Sequence, residues 1–155
     1  MNESTEYLTQ EKYNELSKEL NVLVHTKRKE IAEHLEYAKS LGDLSENAEY
    51  HEARDAQGNI EDRIAKIEMI LKSAVIMPST HDTSVITIGS VVTVQKEGGD
   101  AKTYTLVGSE ESDMSAGKIS MKSPLGLKLI GKRSKDAFSV NTPSGVINYK
   151  VLEIK

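Results

Sequence analysis

From Thr9 onward the chain sets apolar residues at helical spacing. Tyr13, Leu16, Leu20, Leu23, Val24, Ile31, Leu35, Ala38 and Leu41 recur mostly at steps of three and four, which gathers them on one helix face. The stripe changes phase near Lys27, as a stutter does. Thr9 suits an N-cap, and Glu11 then falls in the first turn, where negative charge complements the dipole. Leu8 and Tyr13 are placed for a hydrophobic staple. Gly42 tolerates the left-handed conformation that ends a helix. A second stripe follows: Ala53, Gln57, Ile60, Ile64, Ile67, Leu71 and Ala74 alternate steps of four and three, a heptad seam. Pro78 ends it. Each arm holds about 30 residues, or roughly 45 Å of helix. A compact globule of this length is about 40 Å across, so the hairpin is expected to project with residues 42–45 at its tip. Seams of equal length about one short turn predict pairing within the chain, hence a monomer; a coiled coil between chains is the alternative.

Beyond Pro78 the pattern changes. Residues 91–96, Val-Val-Thr-Val-Gln-Lys, form a β-branched run. Gly98-Gly99-Asp100 turns the chain and 102–107 returns it. Residues 118–121 read as a third strand, and 124–132 as a loop with a short helix. Strands at 137–140 and 146–154 flank a Thr142-Pro143-Ser144-Gly145 turn. Five short strands predict a compact antiparallel or mixed sheet. The breaker-rich segment 78–84 is the expected linker, dividing a hairpin at 1–77 from a sheet domain at 85–155.

Composition sharpens this division. All three prolines and eight of the ten glycines lie from residue 78 onward. Residues 1–77 carry 16 acids and 10 bases, and residues 78–155 carry 8 acids and 10 bases. The chain's net charge is thus −4, which argues against a free nucleic-acid binder, because wrapping a polyanion needs a cationic excess. The absence of cysteine excludes disulfides, thiolate zinc sites and cysteine nucleophiles. No apolar run approaches the ~18 residues of a membrane span. The opening Met-Asn-Glu-Ser-Thr-Glu lacks the apolar core of a signal peptide. A soluble, cytoplasmic protein without a membrane partner is expected.

The candidate chemistry lies in Gly42-Asp43-Leu44-Ser45-Glu46-Asn47-Ala48-Glu49-Tyr50. Asp43 and Glu46 are three apart at an expected helix start. One reading is capping, with Asp43 or Ser45 accepting backbone N–H groups and Glu46 in the first turn. The other is metal chemistry. Magnesium is commonly held by one or two carboxylates, with phosphates and waters completing its shell. Two acids alone bind it weakly, so such a tip would act only where another molecule already holds phosphate and metal. An exposed tip offers no pocket that excludes water, so no independent active site is expected. Lys39 and Arg54 flank the tip, one per arm, either as contacts to a polyanion or as ordinary solvated helix charge.

Here the sequence resembles a known family. Residues 42–51 followed by Ala53-Arg54 are similar to the signature of bacterial Gre transcript-cleavage factors, of the GreA type. Ser123-Pro124-Leu125-Gly126 through Leu129-Ile130-Gly131-Lys132 is similar to their second signature, and Thr142-Pro143-Ser144-Gly145 also fits. The resemblance spans essentially the whole chain. It implies an α+β fold: a long N-terminal antiparallel coiled-coil hairpin followed by a small FKBP-like β-sheet domain. It also implies a transcription elongation factor. The sheet domain docks on the rim of the RNA polymerase secondary channel, with Ser123 and Pro124 as expected contacts. The hairpin enters the channel and stimulates the polymerase's own cleavage of backtracked RNA. Asp43 and Glu46 would help hold a second Mg²⁺ shared with the polymerase, none being expected on the free protein. Lys39 and Arg54 would meet the nascent RNA 3′ end or channel acids, and Asn47, Glu49 and Tyr50 would shape the tip.

The rival readings are a Gre-like inhibitor of the same channel, an FKBP-like prolyl isomerase and a coiled-coil adaptor. An isomerase pocket is lined with aromatics, whereas this half holds only Tyr104, Phe138 and Tyr149. Lys27-Arg28-Lys29 reads as a solvated face. His51-Glu52-Ala53-Arg54-Asp55 lacks the second histidine of a zinc-protease motif. Glu110, Glu111 and Asp113 read as solvated loop acids.

Overall fold

The computed structural model describes residues 5–77 and 82–155. The chain forms two compact units. One is Glu11–Ala74; the other joins the described residues before Glu11 to the segment from Val75 onward. Pro78, His81 and most of the expected linker lie outside the described residues. No described helix is long and apolar enough to cross a membrane.

The helical unit is an antiparallel hairpin. Its first arm comprises α1 (Gln10–Val22), a π-helical turn (Leu23–Lys27) and α2 (Arg28–Ser40). Its second arm is α3 (Ala48–Ser73). The π-turn stands where the apolar stripe changes phase: Arg28 N–H donates to the Leu23 carbonyl, five residues back. Such a turn accommodates one residue more than an α-turn. Leu16, Leu35, Ala38, Ala53, Ile64 and Ile67 are buried, as their spacing predicts. Ile70 is buried too, widening the seam beyond a strict two-position heptad. Leu41 departs the other way, remaining half exposed beyond the end of α2.

Two guanidinium forks tie the arms. Arg63 donates from Nε and Nη2 to the Glu19 carboxylate at 2.6 and 2.8 Å. Arg28 grips Glu61 through the same pair of nitrogens. Lys27 and Lys29 pair along their own helix with Glu30 and Glu33. The basic run thus pairs with acids of its own hairpin on an exposed face.

The other unit is built on a five-stranded mixed sheet, ordered β5-β4-β3-β7-β6. Its strands are β3 (Val91–Lys96), β4 (Ala101–Val107), β5 (Lys118–Ser120), β6 (Ala137–Thr142) and β7 (Gly145–Ile154). Only β4 and β5 run parallel. Alternate residues of β3 and β6 face inward, so Val92, Val94, Phe138 and Val140 join Ile86, Leu106, Ile119 and Val151 in one core. Register shifts between Thr93 and Val94 opposite β7, so Leu152 is the extra residue of a bulge. Helix α4 (Pro124–Leu129) packs on this sheet and contributes buried Leu129.

Two short strands were not legible in the sequence. β1 (Glu6–Leu8) pairs with β2 (Ala74–Ile76), and Leu8 is fully buried. The Glu111 carboxylate accepts the Thr9 N–H at 2.7 Å. Glu111, expected as a solvated loop acid, thereby anchors the chain just after β1. Asp113 instead closes its own loop by accepting from Ser115 and Ala116.

Candidate functional site at the hairpin tip

Seven residues, 41–47, connect α2 to α3. Leu41 N–H donates to the Ala38 carbonyl at 3.2 Å. Gly42 then takes φ +134°, open to glycine and strained for other residues. Asp43 Oδ1 accepts both the Ser45 N–H and the Ser45 hydroxyl, each at 3.1 Å. This is an Asx-turn, in which a short carboxylate mimics a backbone carbonyl. The Ser45 backbone N–H, then its hydroxyl, hold the Asp43 carboxyl below its ordinary pKa. Bonds to the charged form favour that form, so Asp43 is anionic at neutral pH.

The second arm begins later than the spacing of Asp43 and Glu46 suggests. Its N-cap is Asn47, in extended backbone, and its first helical residue is Ala48. Asn47 Oδ1 accepts the Tyr50 N–H at 3.0 Å. Asp43, Ser45 and Glu46 therefore precede the helix, and the expectation that Asp43 or Ser45 caps it is corrected. The physical reason is competition: Asp43 spends Oδ1 on its own loop, while Asn47, an equally good capping residue, stands three residues before an available N–H. Glu49 is the first-turn acid.

Asn47 also reaches across the hairpin. Its Nδ2 donates to the Ala38 carbonyl, at the end of α2, at 2.6 Å. His51 Nε2 lies 3.3 Å from the Ser45 carbonyl, and the Tyr50 and His51 rings meet edge to face at 5.8 Å. The loop is thus fastened at its start, middle and end, while Asp43 and Glu46 stay exposed. Lys39 is exposed on the last turn of α2. Arg54 lies in α3, its Nη1 donating to Gln57 Oε1 at 2.6 Å. Among the described residues no three His, Cys, Asp or Glu side chains form a group able to hold a metal ion. Two exposed carboxylates suit a hard cation such as Mg²⁺ in donor type, but its remaining ligands would have to come from elsewhere.

Ser123 and Pro124 open α4. Ser123 Oγ accepts the Gly126 N–H at 3.0 Å and donates to the Ser120 carbonyl at 2.7 Å. Pro124 fills the first turn, where its missing N–H costs nothing. Next to them Leu127 is 64% exposed, an apolar surface on a helix whose other face is buried.

The chain thus combines a hairpin that fastens an acidic tip loop with a second unit built on a mixed sheet. Residues 6–76 match the family model described as transcription elongation factor, N-terminal, and residues 81–155 match that of transcription elongation factor, GreA/GreB, C-term. The chain is 47% identical to transcription elongation factor GreA of Clostridioides difficile, covering 100% of this chain and 99% of that protein. It is 41% identical to GreA of Shouchella clausii over 99% of this chain and 98% of that protein. Among solved structures it is similar to GreA factor homolog 1 (Gfh1) of Thermus thermophilus, with 28% identity, coverage of 97% and 99%, and a TM-score of 0.45. The chain belongs to the GreA/GreB family of transcription elongation factors and is of the GreA type.

Proposed function

We propose that this elongation factor acts inside RNA polymerase, stimulating the polymerase to cleave backtracked nascent RNA. The observation that carries the reading is the fastened tip loop, which holds two exposed carboxylates at the end of a helical hairpin. A loop this exposed cannot exclude water by itself, so its chemistry belongs inside a larger catalyst. The hairpin enters the secondary channel of bacterial polymerase, and the sheet unit docks at the rim through the surface around Ser123, Pro124 and Leu127. The factor works as a monomer in the cytoplasm, where the polymerase is.

Phosphodiester hydrolysis by two metals activates water at one ion and stabilises the leaving oxygen at the other. Asp43 and Glu46 would share one Mg²⁺ with the polymerase, and that ion would supply the Lewis acidity. Asp43 offers an anionic carboxylate, oriented by Ser45 before docking. Glu46 offers a second, two residues from the nearest arm. Lys39 and Arg54 would attract the extruded RNA 3′ end. The factor itself has no stand-alone active site.

The test is a stalled polymerase complex carrying a 3′-extruded RNA. With factor and Mg²⁺ it should release short 3′ fragments. Asp43→Asn should abolish the release yet still compete with unmodified factor for the polymerase. Protection of the RNA from intrinsic cleavage by the unmodified factor would overturn the proposal and point to an inhibitor.

A further inference from the structure

Resting on that reading, we propose that Asn47 is a positioning residue, which sets where the tip carboxylates stand by joining the end of one arm to the start of the other. A helix leaves its last carbonyls and its first N–H groups without internal partners. At this tip one side chain serves both ends. Asn47 Oδ1 takes the Tyr50 N–H of α3, and Nδ2 gives a proton to the Ala38 carbonyl of α2. The two bonds fix the orientation of the amide, since one neighbour is a donor and the other an acceptor.

The residue type follows from this double duty. Aspartate caps as well but has no donor for the Ala38 carbonyl. Serine has one oxygen on a shorter stem and cannot span both arms at once. Ala38 is fully buried, so its carbonyl sits at a rigid point of the seam. Glu46 is bonded directly to the residue that grips this point. Asp43 is linked to it through Ser45, whose N–H and hydroxyl hold the carboxylate. Without the Nδ2 bond, α3 keeps its cap and the start of the loop stays bonded to the first arm through Leu41 N–H, but the end of the loop loses its hydrogen bond to that arm. The carboxylates then sample positions around the productive one, and about 1 Å of misplacement costs on the order of 100-fold in rate.

The experiment compares full-length Asn47→Ser and Asn47→Ala with unmodified factor on the same stalled complexes. Both variants lose the Nδ2 bond but serine preserves the cap, so Asn47→Ser should unfold closer to the parental temperature than Asn47→Ala. Both should reduce the maximal cleavage rate at saturating factor by about tenfold or more, with half-saturating concentration unchanged. In the free protein, amides 43–47 of Asn47→Ser should exchange faster than in the parent, while those in the middle of α3 do not. Normal cleavage by Asn47→Ser, a change in half-saturation alone, or unaltered exchange in the loop would each overturn the proposal. Asp43→Asn runs alongside. If it also cleaves normally, the carboxylate assignment has failed; if it is inactive while Asn47→Ser is normal, only the positioning role has failed.

Discussion

Gly108→Ala tests the least anticipated part of the fold, the docking of β1. Gly108 has φ −66° and ψ 165°, values any residue adopts, so a methyl group there meets no backbone penalty. It meets a steric one: the added Cβ would lie 1.8 Å from the Tyr7 carbonyl oxygen and 2.9 Å from its carbon. Ordinary contact begins near 3.4 Å, so β1 would have to retreat by about 1.5 Å or leave. Leaving sets the ceiling on the cost. It exposes Leu8, worth about 1.5–3 kcal/mol. It also breaks the bonds from Thr9 to Glu111 and from Met77 N–H to the Leu8 carbonyl, at about 0.5–1.5 kcal/mol each. The exposed Lys122–Glu6 pair adds little, and the freed segment regains backbone entropy. The ceiling is therefore about 3 kcal/mol, or roughly a hundredfold in the opening equilibrium. Hydrogen exchange of the β1 amides reads that equilibrium directly. Gly99→Ala is the matched control, because its Cβ meets nothing closer than 3.5 Å. If Gly108→Ala left β1 protection where the control leaves it, the close approach to Tyr7 would not be what selects glycine.

Two further glycines should respond with opposite signs. Gly58 lies inside α3 with nothing within 4 Å of an added Cβ, so Gly58→Ala should stabilise the hairpin by about 0.5–1 kcal/mol, measured by denaturant midpoint. Gly126 lies inside α4, yet its Cβ would fall 2.1 Å from the Ser120 carbonyl oxygen; Gly126→Ala should destabilise the sheet unit by about 1–3 kcal/mol despite the better helix former. The cross-arm fork gives a pH signature. Glu19 is lowered from 4.5 chiefly by the hydrogen bond from Arg63, so its stabilisation is full above pH 4.5 and fades as pH falls through the lower folded value. The thermal midpoint of the parent relative to Glu19→Gln, followed by helical circular dichroism, should shrink over that acid range; a difference independent of pH would reject the role of the fork.

The two architectures were readable because each leaves a local trace. Heptad spacing exposed the seam at Ala53, Ile64 and Ile67, and a β-branched run ahead of a Gly-Gly turn exposed β3 and β4. What escaped detection was short or long-range. Three-residue strands such as β1 and β2 carry too few positions for a period to show. Glu111 joins Thr9 across 102 positions of chain, a pairing that no local pattern announces. The tip was legible in its residues but not in its wiring. Asp43, Ser45 and Asn47 are all competent caps, and only the backbone path shows which N–H each can reach.

The π-turn at Leu23–Lys27 bears on how this arm can vary in length. Inserting a residue into a regular α-helix rotates everything beyond it by about 100°, which would carry Leu35 and Ala38 out of the seam. A widened turn absorbs the extra residue locally, and the positions beyond it keep their facing. Chains lacking one residue in this stretch could run as continuous α-helix and present the same tip. The first arm thus has a site where a single codon can be dropped without redirecting the acids at its end.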